Sequence, residues 1–217
     1  MKMTASLLQG YDWYKQCPQS YKKAAFQQIV GMLNKEPFTN KAVERGQAYE
    51  DSIDVNVPPK GLEFIQGSMI QPWMQAYHLE AKTGIYTFRG RLDYYKKNPA
   101  HWPMELVTEN KTMQKWFDEK AKLIIDLKTT SKFNKSSYVS KRQHIIYGLA
   151  ENCPNFCYAV GVFDDAESLI PTRIELIPFI MNLKEEEKIL MDSVNEFVDW
   201  MVNENLWNTF INVYNTK

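Results

Sequence analysis

The chain has 217 residues, 44% hydrophobic and 13% aromatic, enough apolar material to bury a core and too much for a disordered segment. Its 26 basic and 26 acidic side chains cancel to a formal net charge of zero, which excludes whole-protein attraction to nucleic acid or an anionic membrane and leaves only a local binding face. Three cysteines, Cys17, Cys153 and Cys157, are too few and of the wrong parity for a secreted disulfide framework.

Taken in chain order, residues 5 to 31 predict two helices split at Cys17-Pro18, because proline disfavours helical geometry in the residue before it and suits the first turn after it. From Thr39 to Asp54 the sequence opens on a capping residue, and Ala42, Val43, Gln47 and Glu50 fall on related faces of a third helix. Residues 61 to 75 are ambiguous, with room for a short helix before Pro72. Between Gln75 and Lys97 apolar and polar residues alternate on both sides of Thr83-Gly84. This predicts an antiparallel hairpin with long arms and sets Asp93 near the end of the second. A helix around 112 to 120, the strand KLIIDLKTT, a helix from Tyr138 to Asn152, strands in NFCYAVGVFDD and TRIELIPF, and an amphipathic helix from Lys184 to Trp200 follow. No repeat, low-complexity tract or Gly-rich linker divides the chain, so residues 1 to 217 are expected to form one domain, with helices over 182 to 215 as an accessory.

The chemistry centres on the strand KLIIDLKTT. Alternation puts Asp126 and Lys128 on one face and Leu127 on the other. Leu123, Ile124, Ile125 and Leu127 mark the strand as buried, so the charged pair at its edge needs a partner, and a divalent cation is a natural one. Mg²⁺ takes one or two carboxylates and completes its octahedron with water and phosphate oxygens, and Asp93 can supply the second carboxylate. A lysine beside that ion can orient the attacking water or stabilise charge on the phosphate, the chemistry of phosphodiester hydrolysis. Alone, the tripeptide DLK is weak, since such pairs are common on strand surfaces. The ordered set is stronger: RGQAYE at 45–50, GRLD at 90–93, IIDLKTT at 124–130 and QHIIY at 143–147.

In that order these pieces resemble the RecB-like and lambda-exonuclease-like branch of the PD-(D/E)xK nucleases. Its pattern runs from a helix-borne acid through GxxD and DxK on strands to QxxxY on a helix. The opening SLLQGYDWYKQCP resembles that branch too, so the likeness runs from about residue 5 to about residue 165. It implies an α/β fold with a restriction-endonuclease-like core, a central mixed sheet flanked by helices, and the hairpin, the DLK strand and the two strands after the QxxxY helix are expected to make up that sheet. It implies Asp93 and Asp126 as metal ligands together with the Leu127 carbonyl, Lys128 as the catalytic lysine, and Glu50 as an acid assisting a metal or its water. Gln143 and Tyr147 share one helix face at i, i+4 and complete the site by orienting the lysine or touching substrate. The cofactor implied is Mg²⁺ or Mn²⁺, one or two ions. No iron-sulfur cluster is expected, because such clusters take four thiolates and the chain has three cysteines.

The activity implied is metal-dependent hydrolysis of DNA, exonucleolytic rather than endonucleolytic, in recombination, repair or phage DNA processing. The alternative is a catalytically inactive DNA-binding or scaffold module that keeps the fold. DNA is the expected partner. No helicase motif is present, so unwinding falls to a helicase encoded elsewhere, and a single-strand-annealing protein is a second candidate partner. Lambda-type relatives form a toroidal oligomer, but no residue here predicts one. Two basic groups, Arg89, Arg91, Lys96 and Lys97 beside Asp93 and Lys132, Lys135, Lys141 and Arg142 after the DLK strand, are either phosphate contacts or solvated loops. Trp13, Tyr14, Trp73, Tyr94 and Tyr95 could stack on single-stranded bases, although most aromatics in such a domain are core. His78, His101 and His144 show no ligand spacing and receive no role. With no signal-peptide core and no membrane span of about 18 apolar residues, the expected location is the cytoplasm, with no membrane association, in a bacterium or phage-infected host given the many Lys, Asn and Tyr.

Overall fold

The computed structural model describes every residue except Phe38, Ala166, Glu167, Leu169 and Lys217, and only the main chain of Pro99. Helix α1 spans Ala5–Gln16 behind Thr4, whose hydroxyl accepts a hydrogen bond from the Leu7 N–H at 3.2 Å. It stops at Cys17, which is extended ahead of Pro18, and α2 resumes over Lys22–Leu33, as the proline rule requires. Helix α3, Lys41–Asp51, is capped by the Asn40 side chain accepting from the Val43 N–H at 3.0 Å. The ambiguous stretch holds only a 3₁₀ turn at Glu63–Ile65 and a two-residue strand. Helix α4 covers Lys111–Asp118. The single helix expected over 138 to 152 is two, α5 at Ser136–Val139 and α6 at Gln143–Glu151. Helix α7, Leu183–Asn203, is longer than its periodic stretch.

Among the described residues eight strands form two sheets. Strands β1 (Lys2–Met3), β3 (Tyr77–Ala81) and β4 (Gly84–Phe88) make a three-stranded sheet in the order β1-β4-β3. Strands β2 (Met69–Ile70), β5 (Tyr94–Lys96), β6 (Leu123–Thr130), β7 (Asn155–Val162) and β8 (Arg173–Ile180) make the larger sheet in that order, with β6 and β7 parallel and the other pairs antiparallel. The class is α/β, a mixed sheet flanked by helices. Two expectations are corrected. The hairpin does not belong to the central sheet: β3 and β4 pair with each other around a Lys82-Thr83 loop and with β1. Nor is Asp93 on the hairpin's arm, because the chain leaves β4 at Phe88 and enters β5 at Tyr94 in the other sheet. Alternation persists across this change because it records which side chains are buried, not which strand they pair with.

Strand alternation divides the core. Ile124, Tyr158 and Val160 on one face of the large sheet join Tyr95, the α1 residues Leu7, Leu8 and Tyr11, and the α7 residues Leu190, Val194 and Phe197 in one apolar cluster. Ile125, Leu127, Cys157 and Ala159 on the other face pack with Tyr94, Trp102, Met113 and Trp116. Leu127 therefore points into the layer opposite Asp126 and Lys128, as the period of two predicts. Tyr11 meets Phe197 and Trp200 with ring centroids 5.2 and 5.1 Å apart, so α7 seals α1 onto this core. Cys17, Cys153 and Cys157 are buried free thiols. Among the described residues no helix is long and apolar enough to cross a membrane.

Candidate active site

The site lies where the β5–β6 ladder ends. The pairs Lys96↔Leu123, Tyr95↔Ile124 and Tyr94↔Ile125 are the last in register. One residue further, Asp93 falls opposite Asp126, and directly opposed residues share a face of the sheet. Asp93 Oδ2 accepts a hydrogen bond from the Leu127 N–H at 2.7 Å, so a carboxylate takes over where main-chain pairing stops. Lys128 shares the Asp126 face, and its ammonium forms an ion pair with Asp126 Oδ2. From α6, Gln143 Nε2 donates to Asp126 Oδ1 at 2.6 Å and to the Tyr147 hydroxyl at 3.1 Å. Six of the residues singled out from sequence, Asp93, Asp126, Leu127, Lys128, Gln143 and Tyr147, thus form one connected group.

Glu50 joins this group through a residue that sequence reasoning missed. Its Oε1 accepts from Gln71 Nε2 at 2.9 Å, and the Gln71 N–H donates to the Asp93 carbonyl, also at 2.9 Å. Gln71 has φ +44°, a left-handed geometry that is uncommon for a non-glycine residue, and with it the side chain reaches one acid and the main chain the other. The only sequence signal was its place just before Pro72 in a stretch with no clear period. The competing acids of α3 face elsewhere: Glu44 accepts from the Thr39 hydroxyl and Asp51 from Gln47.

The electrostatics of the site show a shortage of positive charge. Burial, then the Asp126 and Glu50 carboxylates, push Asp93 up to about 8 against the opposing pull of Lys128 and the Leu127 N–H. Asp126 has no exposed side-chain surface and is also raised by burial, with Lys128 acting against the shift. Burial pulls Lys128 down, but Asp126 and Asp93 outweigh it and hold the ammonium charged. Burial raises the Tyr147 phenol to about 12, so it keeps its proton. Among the described residues Asp126 Oδ2 is buried without a well-aligned hydrogen bond, and the ion pair with Lys128, with a smaller pull from Lys141, is what compensates it. Hard oxygens short of counter-charge fit a divalent cation such as Mg²⁺ or Mn²⁺. Among the described residues no three carboxylate, imidazole or thiolate side chains gather closely enough to hold a metal ion as a set. Two carboxylates with water and phosphate oxygens are nevertheless a normal Mg²⁺ environment.

The basic residues split by environment. Lys96 has no exposed surface and donates to the Gln66 and His101 carbonyls at 2.7 and 2.6 Å, so it is a core residue and not a phosphate contact. Arg142 is turned to Ser193 and Asp12. Lys141 is half-buried, its pKa lowered by burial and by Lys128. Arg89, Arg91, Lys97, Lys132 and Lys135 are exposed and remain available for phosphates. Of the aromatics, Tyr94 and Tyr95 are buried and Tyr14 packs on Phe26 and Trp200, which leaves Trp73 exposed beside the site and Trp13 half-exposed on α1.

No known protein family and no curated protein matches the chain. Among solved structures, the chain is similar to the protein SSO0001, with 13% identity, a TM-score of 0.49 and coverage of 89% of this chain and 75% of that one. It is also similar to a phage-related exonuclease from Haemophilus somnus 129PT, with 14% identity, a TM-score of 0.47 and coverage of 94% and 96%.

Proposed function

We propose that this protein is a metal-dependent deoxyribonuclease in which Asp93 and Asp126 hold Mg²⁺ or Mn²⁺ with the Leu127 carbonyl and Lys128 assists hydrolysis. The observation that carries this reading is the end of the β5–β6 ladder, where the buried Asp126 and the half-buried Asp93 oppose each other beside a lysine with too little positive charge between them. A bound divalent ion supplies Lewis acidity toward a phosphate oxygen and makes its bound water more acidic. The Lys128 ammonium, held charged by the aspartates, faces the developing negative charge on the phosphate or orients the water. Gln143 fixes one oxygen of Asp126, and Tyr147 fixes Gln143. Gln71 sets Glu50 against the Asp93 strand, where it can accept a proton from water. The net step forms a water oxygen–phosphorus bond, breaks the phosphorus–oxygen ester bond and leaves a protonated hydroxyl on the departing nucleotide.

The family resemblance supports exonucleolytic action in recombination, repair or phage DNA processing, with a helicase or single-strand-annealing protein as partner. One observation favours the rival reading of a DNA-binding module without catalysis: Asp126 has no accessible surface. The test is digestion of end-labelled linear and closed circular DNA with Mg²⁺, Mn²⁺ or chelator, comparing wild type with Lys128→Ala and Asp126→Ala. Metal-dependent loss of linear DNA alone, absent in both variants, is the expected result. A folded wild type inert on every DNA transfers the assignment to the binding module, and variants that cut as well as wild type remove Lys128 and Asp126 from the catalytic site.

A further inference from the structure

Trp73 is 68% exposed. An indole is among the largest apolar surfaces a protein can leave in water, so its position matters. The segment around it is laced to the strand leading into Asp93. The Gln71 N–H donates to the Asp93 carbonyl, the Leu92 N–H to the Pro72 carbonyl at 3.1 Å, and the Met74 N–H to the Gly90 carbonyl at 3.0 Å, while Trp73 and Arg91 form a bridge pair. The indole therefore stands on a fixed main-chain support. It lies two residues from the Gln71–Asp93 contact, roughly 7 Å along an extended chain. The Arg91 guanidinium lies over the ring, 4.7 Å from its centroid, and so covers one face while the other is open.

We propose that Trp73 and Arg91 form a stacking platform for an unpaired nucleobase of the DNA strand being cut, next to the scissile phosphate. This deepens the nuclease reading and rests on it. An aromatic ring backed by a guanidinium suits a nucleotide in both its parts: the indole takes the base by its π-face, and the cation strengthens the stack and attracts the adjoining phosphate. Stacking is indifferent to base identity, as a processive nuclease requires, but it needs a base whose face is free. Inside a duplex that face is covered by the neighbouring pair. The platform thus selects a single strand, or an end whose last nucleotides have come apart.

The test is equilibrium binding, by fluorescence anisotropy, of an end-labelled oligothymidylate and of an abasic oligonucleotide of the same length. Proteins are wild type with chelator, Lys128→Ala with Mg²⁺, and Trp73→Ala and Trp73→Phe in each setting, with thermal melting to check folding. The wild type is expected to prefer the base-bearing strand. Trp73→Ala should weaken that strand roughly tenfold or more, leave the abasic strand unchanged, and be largely rescued by Trp73→Phe. Equal binding of oligothymidylate by wild type and Trp73→Ala overturns the platform, as does an equal loss for both strands or no binding by wild type at all. Cleavage separates the two claims. A Trp73-dependent preference without metal-dependent hydrolysis sinks the nuclease reading alone, whereas hydrolysis with no Trp73 effect sinks the platform alone.

Discussion

Lys96 and Lys128 mark the two ends of one ladder, and their surroundings differ in kind. Lys96, paired with Leu123, is enclosed on the face of Trp102 and Tyr94 with two carbonyl oxygens as acceptors and no carboxylate partner among the described residues, and burial lowers its pKa to about 7. Lys128, beyond the opposite end, faces Asp126 and Asp93 on the other side of the sheet, and their charge outweighs burial to raise it. Burial of a cation alone makes a structural residue. Burial of a cation among acids that lack enough positive charge makes a place where a metal and a phosphate can complete the balance.

The comparison can be broken most decisively by activity. Lys128→Ala and Asp126→Ala are expected to lower kcat by roughly 10² to 10⁴, whereas Lys96→Met leaves it near wild type. A similar loss in Lys96→Met, read in the same DNA digestion, would erase the distinction. The next effect concerns metal. Mg²⁺ or Mn²⁺ at about 100 times its dissociation constant should raise the unfolding free energy by about 2.7 kcal/mol in urea titrations, and not at all in Asp93→Asn/Asp126→Asn.

Lys96 offers a pH signature. Its pKa is lower in the fold than the ordinary value of 10.5, so between about 7 and 10.5 the unfolded chain binds more protons and stability rises with pH. The difference in unfolding free energy between wild type and Lys96→Met should therefore grow by about 1.4 kcal/mol per pH unit at most as pH rises through that window, and a flat difference would contradict the burial argument. The smallest effect belongs to Gln71→Ala. Loss of one amide hydrogen bond to the Glu50 carboxylate is worth roughly tenfold in kcat, with stability barely altered.

Much of the site was legible because strand periodicity carries its own geometry. Asp126 and Lys128 had to share a face, Leu127 had to oppose them, and Gln143 and Tyr147 had to lie one helical turn apart. What escaped was anything set by partner choice between distant segments. The alternating run through Asp93 gave no sign that the chain changes sheets between Phe88 and Tyr94, since residues 85 to 94 keep alternating between more exposed and more buried positions through the change. The same blindness left Lys96 as either a phosphate contact or a residue of a solvated loop, although register turns it into the core. Gln71 was invisible because its role arises from a left-handed main-chain turn and not from a pattern of residue types.

The parallel pairing of β6 with β7 also sets an order of events during synthesis. Parallel neighbours need a crossover, here through α5 and α6, and their contacts span more sequence than a hairpin's. Asp126 and Lys128 thus emerge from the ribosome well before the helix that brings Gln143 and the strand that covers their backbone. A growing chain carries the acids and the lysine without their enclosure until α6 and β7 dock.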